Sequence, residues 1–308
     1  MIISASRWTD IPCHYGQWFL NRLKEGYVLV RNPFNHSQVY KTPLGSDVVD
    51  CIVFWTKDPK NFLPYLSEVD DMGYKYYFQF TLTPYGKDIE RNMRDKNDVV
   101  KTFIELSEMI GKDKVVWRYD PVLLAHYIDI DYHKRQFAYL CERLASHTKI
   151  VVVSYVDRYS KIKSDYVRDI AIEEIFELSE FMGKTAREYG LAPKACCEEL
   201  DLTAYGIQKS SCIDKELVES ICGYGLNVKQ DRSQRKNCGC VESIDIGVYN
   251  TCMNGCIYCY ANYSIDSCKA RFIKHDPLGE MLFGNVKDEI IKERKVKKEI
   301  IKKFIQGY

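Results

Sequence analysis

Short apolar runs rich in β-branched and aromatic residues alternate along this chain with longer stretches whose apolar positions recur every three or four residues. The runs 2–6, 49–55, 75–82, 114–119, 149–155, 194–197 and 242–248 read as strands, and several are apolar almost throughout, as parallel strands covered on both faces are. The stretches 61–72, 97–110, 131–147, 172–189 and 215–222 read as helices, with Ile172, Ile175, Phe176, Leu178, Phe181 and Met182 on one buried face. Strand and helix in alternation imply right-handed βαβ crossovers. The expected fold is therefore α/β, a partial or complete (β/α) TIM-like barrel. Segments 27–30 and 38–41 read as an inserted hairpin. No linker, repeat or low-complexity stretch divides the 308 residues, of which 46% are hydrophobic, so 1–308 reads as a single unit with a substantial core.

Polar, turn-forming residues follow almost every strand candidate, at 6–10, 55–59, 81–85, 118–121, 154–158 and 196–199. In (β/α) barrels the loops at the C-terminal ends of the strands carry the chemistry, and these segments are expected to line one mouth.

Charge narrows the classes of partner. The net charge is +1, so no global field draws the chain to nucleic acid or to an anionic membrane. The stretch 286–305 reads as a helix with a basic face of Lys292, Arg294, Lys295, Lys297, Lys298, Lys302 and Lys303. Because Glu289, Glu293 and Glu299 interleave with these lysines, a solvated face is favoured over a phosphate-binding one. No basic region followed by an apolar stretch opens the chain, and no run approaches the roughly 18–20 apolar residues of a membrane span. A soluble cytoplasmic protein with no membrane contact is the expectation. No P-loop, no G-x-G-x-x-G after a strand and no G-x-S-x-G elbow is present, and the six histidines form no metal spacing.

The 13 cysteines change the picture. Without an export signal they point to reduced thiols and to metal or cluster ligation rather than to disulfides, while Cys51, Cys141 and Cys222 sit among apolar neighbours as small buried hydrophobes. Cys252, Cys256 and Cys259 form a C-x3-C-x2-C triplet. Three thiolates so close in sequence can hold three irons of a [4Fe-4S] cube and leave the fourth open to a ligand that is not protein. The rival is a structural zinc closed by a fourth ligand such as Cys268, although this spacing is not the paired C-x2-C of zinc ribbons.

The spacing, Gly255 before the second Cys, Tyr258 before the third and the Tyr-Cys-Tyr-Ala-Asn ending resemble the radical S-adenosylmethionine (radical SAM) superfamily. The resemblance implies that SAM binds the open iron and is cleaved to a 5′-deoxyadenosyl radical, with Cys252, Cys256 and Cys259 as cluster ligands and Tyr258 at the usual aromatic position. It also implies a flavodoxin or ferredoxin-type electron donor. Segments 2–12, 53–59, 118–121, 234–240 and the triplet together resemble a domain-of-unknown-function family related to spore photoproduct lyase-like radical SAM proteins, with Trp8 where that family usually has Arg and Asp58 where it has Asn. A DNA-repair lyase and a non-catalytic iron-sulfur or zinc protein are the alternative functions. In the superfamily the triplet follows the first barrel strand. Here it follows 242–248, so the resemblance implies a circular permutation in which the 286–305 helix comes next and 2–6 takes the following strand. A C-terminal cluster arm docked over the barrel would give the same sequence.

The resemblance further implies cofactor contacts from Thr56, Lys57 and Asp58, at the position of the family's methionine-binding loop, with Lys57 a candidate partner for the SAM carboxylate. Arg118 joins the cofactor-binding candidates, with an Arg118–Asp120 pair tying loops together as the alternative, and Arg7 and Asp10 admit the same two readings. Tyr249, Tyr258, Tyr260 and Tyr263 crowd the triplet and read mainly as packing residues. A second group, Cys196, Cys197, Cys212, Cys238 and Cys240, makes 190–270 a Cys-rich region. Gly239 allows Cys238 and Cys240 to face one point, and Cys196, Cys212, Cys238 and Cys240 are the candidate ligands of a second [4Fe-4S] cluster or a zinc ion.

Overall fold

The computed structural model describes residues 1–33, 35–156, 166–235 and 237–301. In chain order, β1 (Ile2–Ala5) leads into α1 (Ile11–His14) and α2 (Gly16–Glu25), the hairpin β2 (Tyr27–Arg31) and β3 (Gln38–Pro43), β4 (Cys51–Thr56), α3 (Leu66–Asp71), β5 (Tyr76–Thr81) and α4 (Lys96–Ile110). There follow β6 (Val115–Val122), the short β7 (Leu124–Ala125), α5 (Ile130–Leu144), β8 (Ile150–Tyr155), β9 (Val167–Arg168), α6 (Ile172–Glu188) and β10 (Ala192–Cys196). The last elements are β11 (Gln208–Ser210), α7 (Lys215–Cys222), β12 (Ile244–Asp245), α8 (Ile265–Ile273) and β13 (Ile290–Glu293).

Eight strands form one sheet in the order β11-β10-β8-β6-β5-β4-β1-β12, and every pairing in it is parallel. The fold is mixed α/β, a large parallel sheet flanked by helices. Side chains alternate between its faces. Ile3, Ile52, Phe54, Phe78, Trp117, Tyr119 and Val153 pack outward against Trp18, Phe19, Phe103, Phe137 and Leu178 of the helices. Ile2, Val53, Tyr77, Val116, Val152 and Cys196 point inward and share a second cluster with Cys212, Ile213, Leu226, Cys238, Cys240 and Val241, from the chain between β11 and β12. The same alternation sends Ser4, Trp55, Gln79 and Arg118 inward.

The helices start where their caps dictate. Asp95, Asp129 and Asp214 accept hydrogen bonds from the backbone amides of Asn97, Tyr132 and Leu217 at the heads of α4, α5 and α7, satisfying donors that have no intrahelical partner. The 61–72 helix is shorter than expected: Leu63–Tyr65 is a 3-10 turn, because Pro64 lacks an amide to donate, and α3 begins at Leu66. Cys51 and Cys141 are fully buried, as their neighbours foretold, while Cys222 is half-buried.

The expected basic helix at 286–305 is not formed in its described part; residues 302–305, with Lys302 and Lys303, lie outside the described residues. Ile290–Glu293 instead pairs in parallel with β3. Beyond it Ile301 N donates to Gly225 O at 2.8 Å and Asn227 N to Glu299 O at 2.7 Å, while the amine of Met1 donates to Lys297 O at 2.9 Å. Salt pairs spaced four apart add only about 0.2–0.5 kcal/mol each to a helix, and the open edge of β3 offers backbone partners that outweigh them. The helix following the cysteine triplet is α8, opened by Ser264, whose side chain accepts from Ser267 N. Part of the expected 154–158 loop, residues 157 and 158, also lies outside the described residues. No helix among the described residues is long and apolar enough to cross a membrane.

One core contact makes stability depend on pH. His133 is fully buried, with Nε2 2.8 Å from Leu123 O and Nδ1 2.8 Å from the Tyr119 hydroxyl. The carbonyl can only accept, so Nε2 carries the proton and Nδ1 accepts from Tyr119. Burial pushes the imidazole down to about 4, against about 6.5 in an unfolded chain. The folded protein thus prefers the neutral ring, and this contribution is complete above about pH 6.5 and lost as pH falls toward 4, roughly 3 kcal/mol in all. Urea unfolding across that window is expected to show the slope, and the His133→Gln protein to flatten it; equal slopes in both would contradict the assignment.

Candidate functional site

The loop carrying the triplet leaves β12, which pairs with β1 through Ile3 opposite Ile244 and Ser4 opposite Asp245. Strand β1 thus lies beside the strand that precedes the cysteines, although the two are at opposite ends of the sequence. Asp245 fixes the junction: its carboxylate accepts from Ser4 Oγ at 2.8 Å, from Arg7 N at 2.9 Å and from Gly247 N at 2.9 Å, and also from Ser6 Oγ.

Two segments clamp the loop. Asp10, fully buried, accepts from Lys57 N at 2.7 Å, Asn254 Nδ2 at 3.0 Å and Cys13 N at 3.0 Å. It therefore ties the loops after β1 and β4 to the middle of the triplet. Asn254 Oδ1 lies 2.8 Å from His14 Nε2, Tyr15 donates to Thr251 O at 2.6 Å, and Trp8 stacks on Tyr249 at 4.8 Å. From the other side, Asn92 N donates to Asn254 O at 3.1 Å and Ile257 N to Ile89 O at 3.0 Å, while Asn92 Nδ2 donates to Met253 O at 2.7 Å. Gly255 has φ +69°, and a Cβ there would sit 3.0 Å from Asn92 Nδ2, so both handedness and room call for glycine.

Glu90 is the buried hub of this clamp. Its carboxylate accepts from Lys57 Nζ at 2.7 Å and Thr83 Oγ1 at 2.8 Å, and also from Lys96 and the Tyr258 hydroxyl. Burial alone would raise its pKa, but Lys57 and Lys96 more than reverse this and hold it at about 2. The Lys57 ammonium, 5.5 Å from the centre of the Tyr258 ring, is thus committed to Glu90 rather than standing free. Asp58 pairs with Arg94 through both carboxylate oxygens, the longer contact 2.7 Å, and accepts from Lys60 N at 3.3 Å. Thr56 Oγ1 accepts from Asp58 N at 3.1 Å. Thr56 and Lys57 border the cavity described next, and Asp58 stands behind it.

Cys252, Cys256 and Cys259 open onto a cavity of about 830 Å³ whose wall also includes Arg7, Asp10, Trp55, Arg118, Tyr258 and the cysteines 196, 197, 212, 238 and 240. That volume is within the range of small-molecule and cofactor sites. Cys268, buried on α8, and Cys13 are not part of this wall. Burial pushes the Cys256 thiol up to about 12, opposed by the nearby Lys57 ammonium, and burial raises Cys252 well above the ordinary thiol range. Such thiols are poor free nucleophiles at neutral pH. A metal bound on the cavity side is what would displace their protons.

The second group also converges. Cys196 ends β10, and its sulfur is 2.7 Å from that of Cys212. Ile213 N donates to Cys240 Sγ at 3.3 Å, and Cys240 lies within thiol reach of Cys196, Cys212 and Cys238. A Cβ on Gly239 would fall 2.5 Å from Ser211 Oγ, so a larger residue in the C-G-C turn would push that hydroxyl aside. Arg118, inward on β6, donates to Cys212 Sγ at 3.1 Å and to Gln79 Oε1 at 3.2 Å and pairs with Asp120. The guanidinium groups of Arg7 and Arg118 both lie over the Trp55 ring, their central carbons 5.4 and 5.5 Å from its centre. Arg118 thus makes the expected pair with Asp120 and also stands on the cavity wall. Even so, no three His, Cys, Asp or Glu side chains among the described residues surround a single metal-ion position; the sulfurs of the second group crowd one another.

Asp245, Glu90, Asn254 and Arg94 escaped sequence reasoning. Each has at least one partner distant in the chain, and only the place of Asp245 in an inward strand position hinted at a role.

Among solved structures, the chain is similar to a Bacteroides thetaiotaomicron protein provisionally assigned as an alpha-L-fucosidase, with 9% identity over 73% of this chain and 83% of that one; its TM-score of 0.25 is too low to carry an argument. No curated protein matches the sequence. A family model matches residues 2–261, a span holding β1 to β12 and both cysteine groups. The chain belongs to the family described as Domain of unknown function (DUF1848).

Proposed function

We propose that the chain is a radical SAM enzyme built on a circularly permuted (β/α) barrel, with Cys252, Cys256 and Cys259 ligating three irons of a [4Fe-4S] cluster. The observation that carries this reading is the triplet's setting. Its three sulfurs follow a strand of a parallel sheet, face a cavity of about 830 Å³, and have no fourth cysteine from α8 or α1 on the same wall. That favours an open cluster over a zinc closed by Cys268, and the inward cluster shared by six strands favours a barrel. When bound, the cluster would supply one electron to SAM, breaking its C5′–S bond to release methionine and a 5′-deoxyadenosyl radical that abstracts hydrogen from a substrate.

The chain's own residues orient and shield. Asp10 holds the Asn254 side chain and Asn92 the loop backbone, Gly255 lets it turn, and Glu90 and Lys57 back Cys256 with a neutralised buried pair. Lys57 and Glu90 together act as a positioning pair; a SAM carboxylate would find Arg7 and Arg118 on the same wall. An external one-electron donor of the flavodoxin or ferredoxin type follows from the chemistry.

The test is anaerobic reconstitution with iron and sulfide. A brown protein whose electron paramagnetic resonance signal shifts on adding SAM, and which forms 5′-deoxyadenosine with dithionite, is the expected result. A colourless protein that takes up zinc alone would overturn the reading.

A further inference from the structure

We infer that Cys196, Cys212, Cys238 and Cys240 form a four-thiolate metal centre, distinct from the triplet and facing the same cavity from the β10 end of the sheet. The four side chains come from three separate places in the chain, the end of β10, the turn after β11 and the 231–241 loop, and lie together in the inward cluster. Folding brings them there by independent means. Asp231 N donates to Cys240 O at 2.8 Å, Val241 N to Ile213 O at 3.1 Å, Gln230 Nε2 to Cys238 O at 2.7 Å, and both Tyr77 and Gln79 to Cys212 O at 2.9 and 2.6 Å. With Cys196 held opposite Ser210 in the β10–β11 pairing, the backbone is fixed at all four sulfurs, which is how a preorganised ligand set is built.

The surroundings favour a negatively charged occupant of this pocket. Four thiolates around a divalent ion or a doubly charged cube carry a net charge of −2, and Arg118 already donates to one sulfur. Arg7 reaches Cys240, and its Nη2 is buried without a hydrogen-bond partner, a costly state for a charged donor that a metal-bound sulfur would relieve. The 2.7 Å between the Cys196 and Cys212 sulfurs is longer than the roughly 2.05 Å of a disulfide. It is shorter than the about 3.8 Å edge of a zinc tetrahedron with 2.3 Å Zn–S bonds. Binding a single ion would spread the sulfurs by about 1 Å, and a cube, whose ligands bind separate corners, by several ångströms more, with each thiol releasing its proton to solvent and forming one metal–sulfur bond. An all-sulfur donor set suits zinc or an iron-sulfur cube and is unsuited to hard cations.

The triple variant Cys252→Ser, Cys256→Ser, Cys259→Ser isolates this centre from the proposed SAM site. Purified anaerobically, then offered equal amounts of ferric and ferrous iron with sulfide, or zinc chloride in parallel, it is expected to retain either about four irons and four sulfides or about one zinc per chain. Adding Cys212→Ser and Cys240→Ser is expected to lower that content at least tenfold. X-ray absorption at the metal edge on the triple variant alone, which needs no further substitution to fold, is expected to show an all-sulfur first shell. No retained metal, metal unchanged by the two added substitutions, or a nitrogen and oxygen shell would each overturn the inference. Metal retained here while the wild-type protein makes no 5′-deoxyadenosine would remove only the SAM reading; the reverse result would remove only this one.

Discussion

The Cys256→Ser protein is expected to form 5′-deoxyadenosine at least about 100-fold more slowly than wild type, beyond the roughly 10–100-fold cost of altering groups that merely support a metal ligand. Serine matches the shape of cysteine, but its hydroxyl stays protonated and does not ligate iron. The backbone at this position is fixed by Glu90 and Ile89, so the fold is expected to survive, with unchanged circular dichroism and about four fewer irons per chain. Cys268→Ala gives the contrast. That thiol is buried on α8, away from the cavity, so its removal is expected to leave iron content and 5′-deoxyadenosine formation intact. If Cys268→Ala abolished metal binding as thoroughly as Cys256→Ser, the open-cluster reading would fail in favour of a closed four-ligand site.

Replacing Glu90 with alanine is expected to destabilise the protein by about 3–5 kcal/mol, the cost of breaking a buried ion pair from one side. The Glu90 side chain is 0% exposed, with Lys57 and Lys96 at 13% and 25%, so neither ammonium gains much water when the carboxylate leaves. Thr83 and Tyr258 also lose their acceptor. Urea unfolding measures the loss. Glu105→Ala is the control, because its pair with Lys60 is 48% exposed on both sides and such pairs contribute about 0–1 kcal/mol. Equal effects at the two positions would show that the Glu90 hub is not what holds the cysteine loop. The loosened loop is also expected to lose iron faster under a chelator than wild type.

The sequence made the alternating α/β framework legible because apolar periodicity over four or more residues is a local signal. The runs around Val53, Phe78 and Val152 declare themselves without reference to the rest of the chain. The spacing of Cys252, Cys256 and Cys259 was legible for the same reason. The shared cavity of the two cysteine groups was only partly so: Cys238 and Cys240 are neighbours in sequence, but their approach to Cys196 and Cys212 depends on β10, β11 and the 231–241 loop meeting inside the sheet. The tail misled because Lys and Glu alternation mimics a helix surface, whereas the decisive partner, the edge of β3, lies some 250 residues away. Helices α1 and α2 were missed; Pro12 and Gly16 are weak helix formers, although Asp10 caps the first helix by accepting from Cys13 N. Glu90 left no local trace, since a lone carboxylate in a polar stretch looks like any solvated one, whereas Asp245 was hinted at only by its place in an expected strand.

The pairing of β12 with β1 sets an order of events at the ribosome. The first strand emerges some 240 residues before the one that completes its flank, and until then its outer edge offers unpaired amides and carbonyls to any passing strand. Domains assemble largely from the N-terminus as they are made, so most of the sheet can form around an unfinished wall. The cavity lined by both cysteine groups is complete only once β12 and the triplet loop have been made, so any metal taken up under the proposed function would enter after the rest of the sheet has formed.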